Sequence, residues 1–227
     1  LEEWDEHQSR SLVRTEKAVA QEEESWFGDN PYNQASPGIG VQFAIIGLIT
    51  SAQILVEERK NRTLQRLMST AMRTWEIVAG HILAMFTLAF LQIALLVLFG
   101  QWVLDVNYLH APLATLLISA ALGIWVASMG LLIGVVAKSD DQVILFSMVA
   151  MFFFSALGGT WFPLDVSAGG FAAFGRLMPP YAAMNGLQNI LIRGLGLASI
   201  WQPVAILMIY ALGFFMLALW RFRKIGV

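Results

Sequence analysis

Apolar residues run almost unbroken through five stretches of the chain, near 38–56, 77–99, 112–136, 143–160 and 203–220, and polar residues crowd the gaps. A bilayer core of about 30 Å needs roughly 20 consecutive apolar residues in a helix. Each stretch therefore predicts a membrane span. The first is mildly polar through Gln42, Thr50, Ser51 and Gln53, which predicts a helix packed inside a bundle. The third holds Gly130-Leu131-Leu132-Ile133-Gly134, a small-xxx-small pattern that serves either a second copy or a neighbouring helix of the same chain.

Between 161 and 194 the pattern changes. Pro163, Gly169-Gly170, Gly175 and Pro179-Pro180 divide apolar pieces too short to cross. They predict a broken or re-entrant helical hairpin, or else a folded external loop. Residues 1–27 read as a soluble helix with a thin apolar stripe at Leu1, Trp4, Leu12, Val19 and Trp26, followed by the turn-rich Gly28-Asp29-Asn30-Pro31. The expected organisation is an external helical segment over 1–36 and a transmembrane domain over 37–227, all-α throughout.

Composition agrees with the pattern: 57% of residues are hydrophobic and only 13% charged, where a soluble domain carries roughly a quarter charged residues. The net charge of -2 conceals an asymmetry, with Glu2, Glu3, Asp5, Glu6, Glu16, Glu22, Glu23, Glu24 and Asp29 near the start and basic residues later. Lysine and arginine close to span ends set orientation. Arg59, Lys60, Arg62, Arg66, Arg73, Lys138, Arg221, Arg223 and Lys224 fall on one side, against Arg176 and Arg193 on the other. The first side is expected to be cytoplasmic, with the N-terminal segment outside and the C-terminus inside. The chain opens at Leu1 with no signal-peptide pattern, so it reads as part of a longer protein.

Catalytic chemistry is scarce. There is no cysteine, which removes disulfides, thiolate metal sites and thiol nucleophiles. HExxH, GxSxG and the phosphate-cradling GxxxxGK[ST] are all missing. His7, His81 and His110 lack metal-ligand spacing, and His81 reads as a hydrogen-bonded histidine near the membrane surface. No Asp, Glu, Lys or Arg lies near a span centre, which argues against a proton-driven carrier and leaves an uncoupled channel open.

The charged interruption Glu57-Glu58-Arg59-Lys60-Asn61-Arg62-Thr63-Leu64-Gln65-Arg66-Leu67 stands between the first two spans. On a helix at about 100° per residue, Leu64, Leu67, Met68, Ala71, Trp75 and Val78 share one stripe, and Arg62, Arg66, Ser69 and Arg73 the opposite one. An amphipathic helix is expected. It could lie in the headgroup region with its arginines near anionic lipids. The Glu57-Glu58 pair beside Arg59-Lys60 suits a protein surface of both signs better.

That interruption resembles the E-R-E-x-G-T-L-E-x-L segment of the ABC-2 type permeases, the membrane subunits of ATP-binding-cassette exporters. Further motifs follow in order over about residues 31 to 224. Glu76-Ile77-Val78-Ala79-Gly80-His81 is similar to the start of the family's third span. Ala156-Leu157-Gly158-Gly159-Thr160-Trp161-Phe162-Pro163-Leu164 is similar to its G-G-x-x-F-P loop, and Leu177-Met178-Pro179-Pro180 with Ile192-Arg193-Gly194 to its external hairpin. The resemblance implies a six-span permease of which this chain holds the end of an external domain and spans two to six.

It also implies partners and roles. The chain would bind no nucleotide; ATP and Mg would sit on a separate ABC ATPase subunit. Glu57, Glu58, Arg59, Lys60, Thr63, Leu64, Arg66 and Leu67 would form the ATPase-coupling interface, with the 138–142 loop touching it too. Gly158, Gly159, Phe162, Pro163, Pro179 and Pro180 would form an external gate hairpin. A second permease copy, identical or different, and membrane lipids are the other expected partners; nucleic acid is not. The location would be the plasma membrane. The cargo, leaving the cell, is not identified by any motif; apolar spans with scattered Gln, Ser and Thr suit an amphipathic or lipid-like molecule and equally suit ordinary helix packing. Two positions depart from the family: Arg62 stands where glycine is frequent, and Ala71 where proline is, so the coupling helix is expected to run on further. A stand-alone channel or carrier without ATP coupling, and a membrane-anchored assembly protein, are the competing readings.

Overall fold

The computed structural model describes residues 30–69, 73–164 and 170–225, which form helices and no strand. In chain order they are α1 (Tyr32–Ile46), α2 (Leu48–Lys60), α3 (Thr63–Met68), α4 (Thr74–Val103), α5 (Pro112–Val136), α6 (Asp140–Gly158), α7 (Gly170–Gly175), α8 (Pro179–Leu191) and α9 (Trp201–Ile225). Short 3-10 turns at Tyr108–His110 and Leu197–Ser199 precede α5 and α9. Five helical stretches are long and apolar enough to cross a membrane: Tyr32–Lys60, Trp75–Val103, Pro112–Val136, Asp140–Gly158 and Trp201–Phe222. The protein is an all-α, multi-pass membrane protein. The expected helix over 1–27 lies outside the described residues.

Helix α5 is the axis of the bundle. Of the residues in its most apolar stretch 67% are buried, and α9, α2 and α4 pack along it. Gly130 and Gly134 explain part of that fit. A Cβ on Gly130 would stand 3.2 Å from the Ser51 side chain, and one on Gly134 3.1 Å from Ala52 O. The small-xxx-small pattern therefore seats α2 within the chain. Buried Trp125, Leu122 and Ile118 of α5 continue the core towards Ala183 and Leu187 of α8.

The span ends differ from expectation wherever polar residues have found a partner inside the fold. The first span starts at Tyr32 instead of 38, because Gln34 donates to Gly159 O at 3.0 Å and Ser36 meets the Tyr108 hydroxyl at 2.9 Å. It also continues through Glu57–Lys60, which belong to α2 and not to a separate amphipathic helix. Its two halves join at Gly47, where Gln92 of α4 reaches in and donates to Phe43 O at 2.9 Å; an inserted side chain is a recognised cause of a bend. The second span reaches Val103, so Gly100, expected in a connection, is helical.

Among the described residues the expected long helix is interrupted on both sides of 70–72, and those positions, Ala71 included, lie outside them. Helix α3 ends at Met68, Ser69 donates its hydroxyl to Arg66 O at 2.7 Å, and Arg73 is extended (φ -78, ψ 146) before α4 begins. A serine that satisfies a backbone carbonyl locally competes with helix continuation. The Glu76 carboxylate then accepts from Arg73 N–H at 2.8 Å and fixes the new start. The apolar stripe from Leu64 to Val78 is thus divided between two helices.

The 161–194 region takes the hairpin form, with α7 and α8 as its two short helices. Helix α8 is no surface loop: Ala182, Ala183, Met184, Leu187 and Ile190 are buried, and it packs against α1, α5, α6 and α9. Pro179 and Pro180 occupy its first turn, where a missing N–H costs nothing.

Candidate functional site

The last turn of α2 places three consecutive charged side chains on three different helices. Glu58 Oε2 meets His81 Nε2 of α4 at 2.5 Å, while His81 Nδ1 faces Ile77 O at 2.8 Å. The guanidinium of Arg59 donates to Ala137 O at 3.1 Å and also to Gly134 O, both at the C-terminal end of α5. Lys60 pairs with Asp140, the first residue of α6. Glu57, by contrast, is exposed.

The Arg59 contact follows from helix geometry. The last carbonyls of a helix have no partner within it and carry its negative dipole end, and a guanidinium can bridge two of them. Arg59→Ala should lower thermal stability in detergent by about 2 kcal/mol, the order of a charged hydrogen bond lost in a part-buried site. Arg59→Lys should recover only part of it, since an ammonium does not span two carbonyls in the same way.

Beyond Lys60 the chain turns sharply. Asn61 N–H donates to Glu57 O at 2.9 Å, Arg62 N–H to Arg59 O at 3.2 Å and Arg66 N–H to Arg62 O at 3.2 Å. Helix α3 is therefore tied to the end of α2 by backbone bonds. Arg62 adopts φ 56, a left-handed conformation costing an ordinary residue about 1–2 kcal/mol. That is why glycine suits this position. Arg62→Gly should raise stability by about 0.5–1 kcal/mol, the relief of strain being partly offset by a more flexible unfolded chain; a melting curve measures it. Arg62 and Arg66 are exposed, Thr63 and Leu67 half-buried.

The eight positions expected to act together thus divide into two groups. Glu58, Arg59 and Lys60 turn back onto the chain. Glu57, Thr63, Arg66 and Leu67 leave surface at the same end of the bundle, and Leu64 belongs to the same short helix. The 138–142 turn stands beside them, with Lys138 N–H donating to Gln142 Oε1 at 2.9 Å. A cavity of about 280 Å³ between α2, α3 and α4 is lined by Ile54, Glu58, Leu67, Glu76, His81 and Met85. His81 is hydrogen-bonded as its position suggested, but its partner, Glu58, was not legible from spacing. Nor were Asp140 and the α5 carbonyls.

The hairpin positions meet at the other end. A Cβ on Gly158 would lie 2.5 Å from the Pro180 ring, so glycine is what lets α6 touch the start of α8. Gly159 has φ 71 and closes α6 in the left-handed conformation. Phe162 is exposed, Pro163 half-buried, and Leu164 packs under Gly159. Gln34 ties this corner to α1 and is itself met by Gln188 of α8. Close by, burial pushes the Tyr108 hydroxyl up to about 12 against the opposing pull of its Ser36 bond; it stays protonated at neutral pH.

Among the described residues no group of His, Cys, Asp and Glu is placed to hold a metal ion. A groove of about 580 Å³ lies between α4, α5 and α9 and is apolar: Ile82, Phe86, Ile124, Met208 and Phe215 line it, with Ser128 as the polar exception. The Ser128 hydroxyl is already given to Ile124 O at 2.8 Å.

Residues 15–220 match the family described as ABC-2 family transporter protein. The linearmycin resistance permease protein LnrN of Bacillus subtilis is 25% identical over 174 residues, 77% of this chain and 45% of that protein. The inner membrane transport permease YhhJ of Escherichia coli is 26% identical over 182 residues, 79% of this chain and 48% of that protein. ABC transporter G family member 20 of Dictyostelium discoideum is 29% identical over 157 residues, 69% of this chain and 21% of that protein. The chain spans less than half the length of each of these relatives.

Proposed function

The chain belongs to the ABC-2 transporter family, and from that membership we propose that it is the membrane subunit of an ATP-driven exporter in the plasma membrane. The observation that carries the reading is α3, a short charged helix that leaves Arg66 exposed while being tied by backbone bonds to an internally braced span end. With Glu57 exposed at the same end as Arg66, the surface around this helix suits a partner surface of both signs. The partner would be a separate ABC ATPase, which would hold ATP and Mg, since this chain has no phosphate-cradling loop.

The excess of basic residues at the α3 end supports a cytoplasmic placement of that end and of the C-terminus. Nucleotide-driven closure of two ATPases would move α3 on each of two permease copies. Differential affinity of the ATPase for its two states would then shift the spans between inward and outward arrangements. At the far end the seat of α8 against Gly158 would serve as the exit gate. A relative named for resistance to linearmycin, and an apolar groove whose single hydroxyl is already bonded, support an amphipathic or lipid-like cargo.

Two measurements on the full-length protein test the reading. A tagged chain should retain an ABC ATPase on purification, and a cysteine placed at position 62 should react with impermeant reagents from the cytoplasmic side alone. Solute movement in liposomes without ATP would favour a stand-alone channel or carrier instead.

A further inference from the structure

Successive residues of a helix point about 100° apart, so three in a row sweep more than half the circumference. At the end of α2 this geometry is used fully: Glu58 reaches His81 of α4, Arg59 the terminal carbonyls of α5, and Lys60 the first residue of α6. No two of the three side chains reach the same helix. Immediately after Lys60, Arg62 bridges the two helices: its N–H donates to Arg59 O in this same turn, and its carbonyl accepts from Arg66 N–H of α3, both at 3.2 Å. A displacement of α3 therefore has to pass through the residues that hold the second, third and fourth spans.

We propose that Glu58, Arg59 and Lys60 form a three-way junction that distributes movement of α3 to α4, α5 and α6. The inference rests on reading α3 as the helix that docks the ATPase. In it the three residues are positioning residues and do not touch nucleotide or cargo.

The branches differ in kind. With the Ile77 carbonyl at one ring nitrogen and the Glu58 carboxylate at the other, His81 is held from both sides and lies one turn inside α4; acceptors at both nitrogens fix the ring plane. The Arg59 branch grips the end of α5, the helix along which α9, α2 and α4 all pack, so its displacement reaches the whole bundle. The Lys60 branch is open to solvent, with both side chains about half exposed. An exposed pair adds little to static stability, so losing it separates transmission from folding.

The test uses the full-length chain purified with its ATPase. Spin labels go on cysteines introduced at Leu109, in the connection between α4 and α5, and at Phe174 in α7; both are exposed at the end remote from α3. The distance between them is measured without nucleotide and with ATP plus vanadate. The parent complex is expected to show a nucleotide-dependent shift. The combined variant Glu58→Gln, Arg59→Gln, Lys60→Gln should keep the ATPase bound while the shift falls at least threefold. Should that variant fail to accumulate, Lys60→Asp should reduce the shift, and Lys60→Asp with Asp140→Lys should restore it, a rescue that simple loss of stability does not produce. An unaltered shift in these variants overturns the junction with ATPase docking intact. A parent chain that retains no ATPase removes the functional reading and the junction with it, and a parent complex with no shift overturns the junction.

Discussion

Arg66→Glu is expected to reduce ATP-driven transport, and the ATP hydrolysis linked to it, by at least tenfold while the protein still inserts in the membrane. Arg66 is exposed on α3, and none of the hydrogen bonds that brace α2 and α5 uses its side chain. The substitution should therefore leave the fold alone. At an interface of mixed charge, reversing one sign places like charges together, at a cost of several kcal/mol. Each 1.4 kcal/mol corresponds to about a tenfold loss of affinity. The ATPase should be lost on purification, or retained with an uncoupled hydrolysis rate. Unchanged transport would count heavily against α3 as the docking element.

Gly158→Leu is expected to damage the fold severely. A Cβ there would stand 2.5 Å from the Pro180 ring, and neither side can yield cheaply. Pro180 lies in the first turn of α8, whose following residues are buried against four other helices, and α6 is held by its own packing. Overpacking a tight contact costs about 1–3 kcal/mol even for small additions. Leucine adds three carbons beyond the first clash. We expect a fall in melting temperature large enough to see in detergent, or failure to accumulate, with Gly158→Ala intermediate. Gly159→Leu adds a left-handed penalty of about 1–2 kcal/mol to contact with Leu164. It should block export or misfold the chain; normal export in that variant would sink the gate role of this corner.

What the sequence made legible was decided by where partners lie. The third span, 112–136, coincides with α5, because Pro112 opens it and the polar Lys138-Ser139 follows closely. The breaks between short helices were readable from Pro179-Pro180 and Gly175, which interrupt apolar runs whatever surrounds them, but hairpin and external loop stayed open because the burial of α8 depends on distant helices. The first span was read short at both ends, because polar residues at span ends look like loop unless their partners are known. Those partners are distant in sequence: Gly159 for Gln34, Ala137 for Arg59, Asp140 for Lys60.

The charged interruption illustrates the same limit. Treated as one helix it shows a clean apolar stripe, yet the structure divides it at Asn61-Arg62 and again after Met68. A helical wheel contains no information about a residue in the left-handed region. The signal that could have marked the first break was Arg62 standing where the family often has glycine. The second break had a weaker one, Ser69 three residues after Arg66. Glu58, Arg59 and Lys60 were grouped with Arg66 through the resemblance of the whole segment to the family's motif, whereas their side chains here contact α4, α5 and α6.

The central claim is that the surface around α3 is where an ATPase docks. It is tested most directly by cross-linking from a cysteine at position 66 in membranes containing the full-length protein. The account predicts a cross-link to a co-purifying ABC ATPase from position 66, and none from a cysteine at position 109 at the opposite end. A position 66 that reacts with impermeant reagents from outside the cell, or one that cross-links to no ATPase while transport continues, would contradict it.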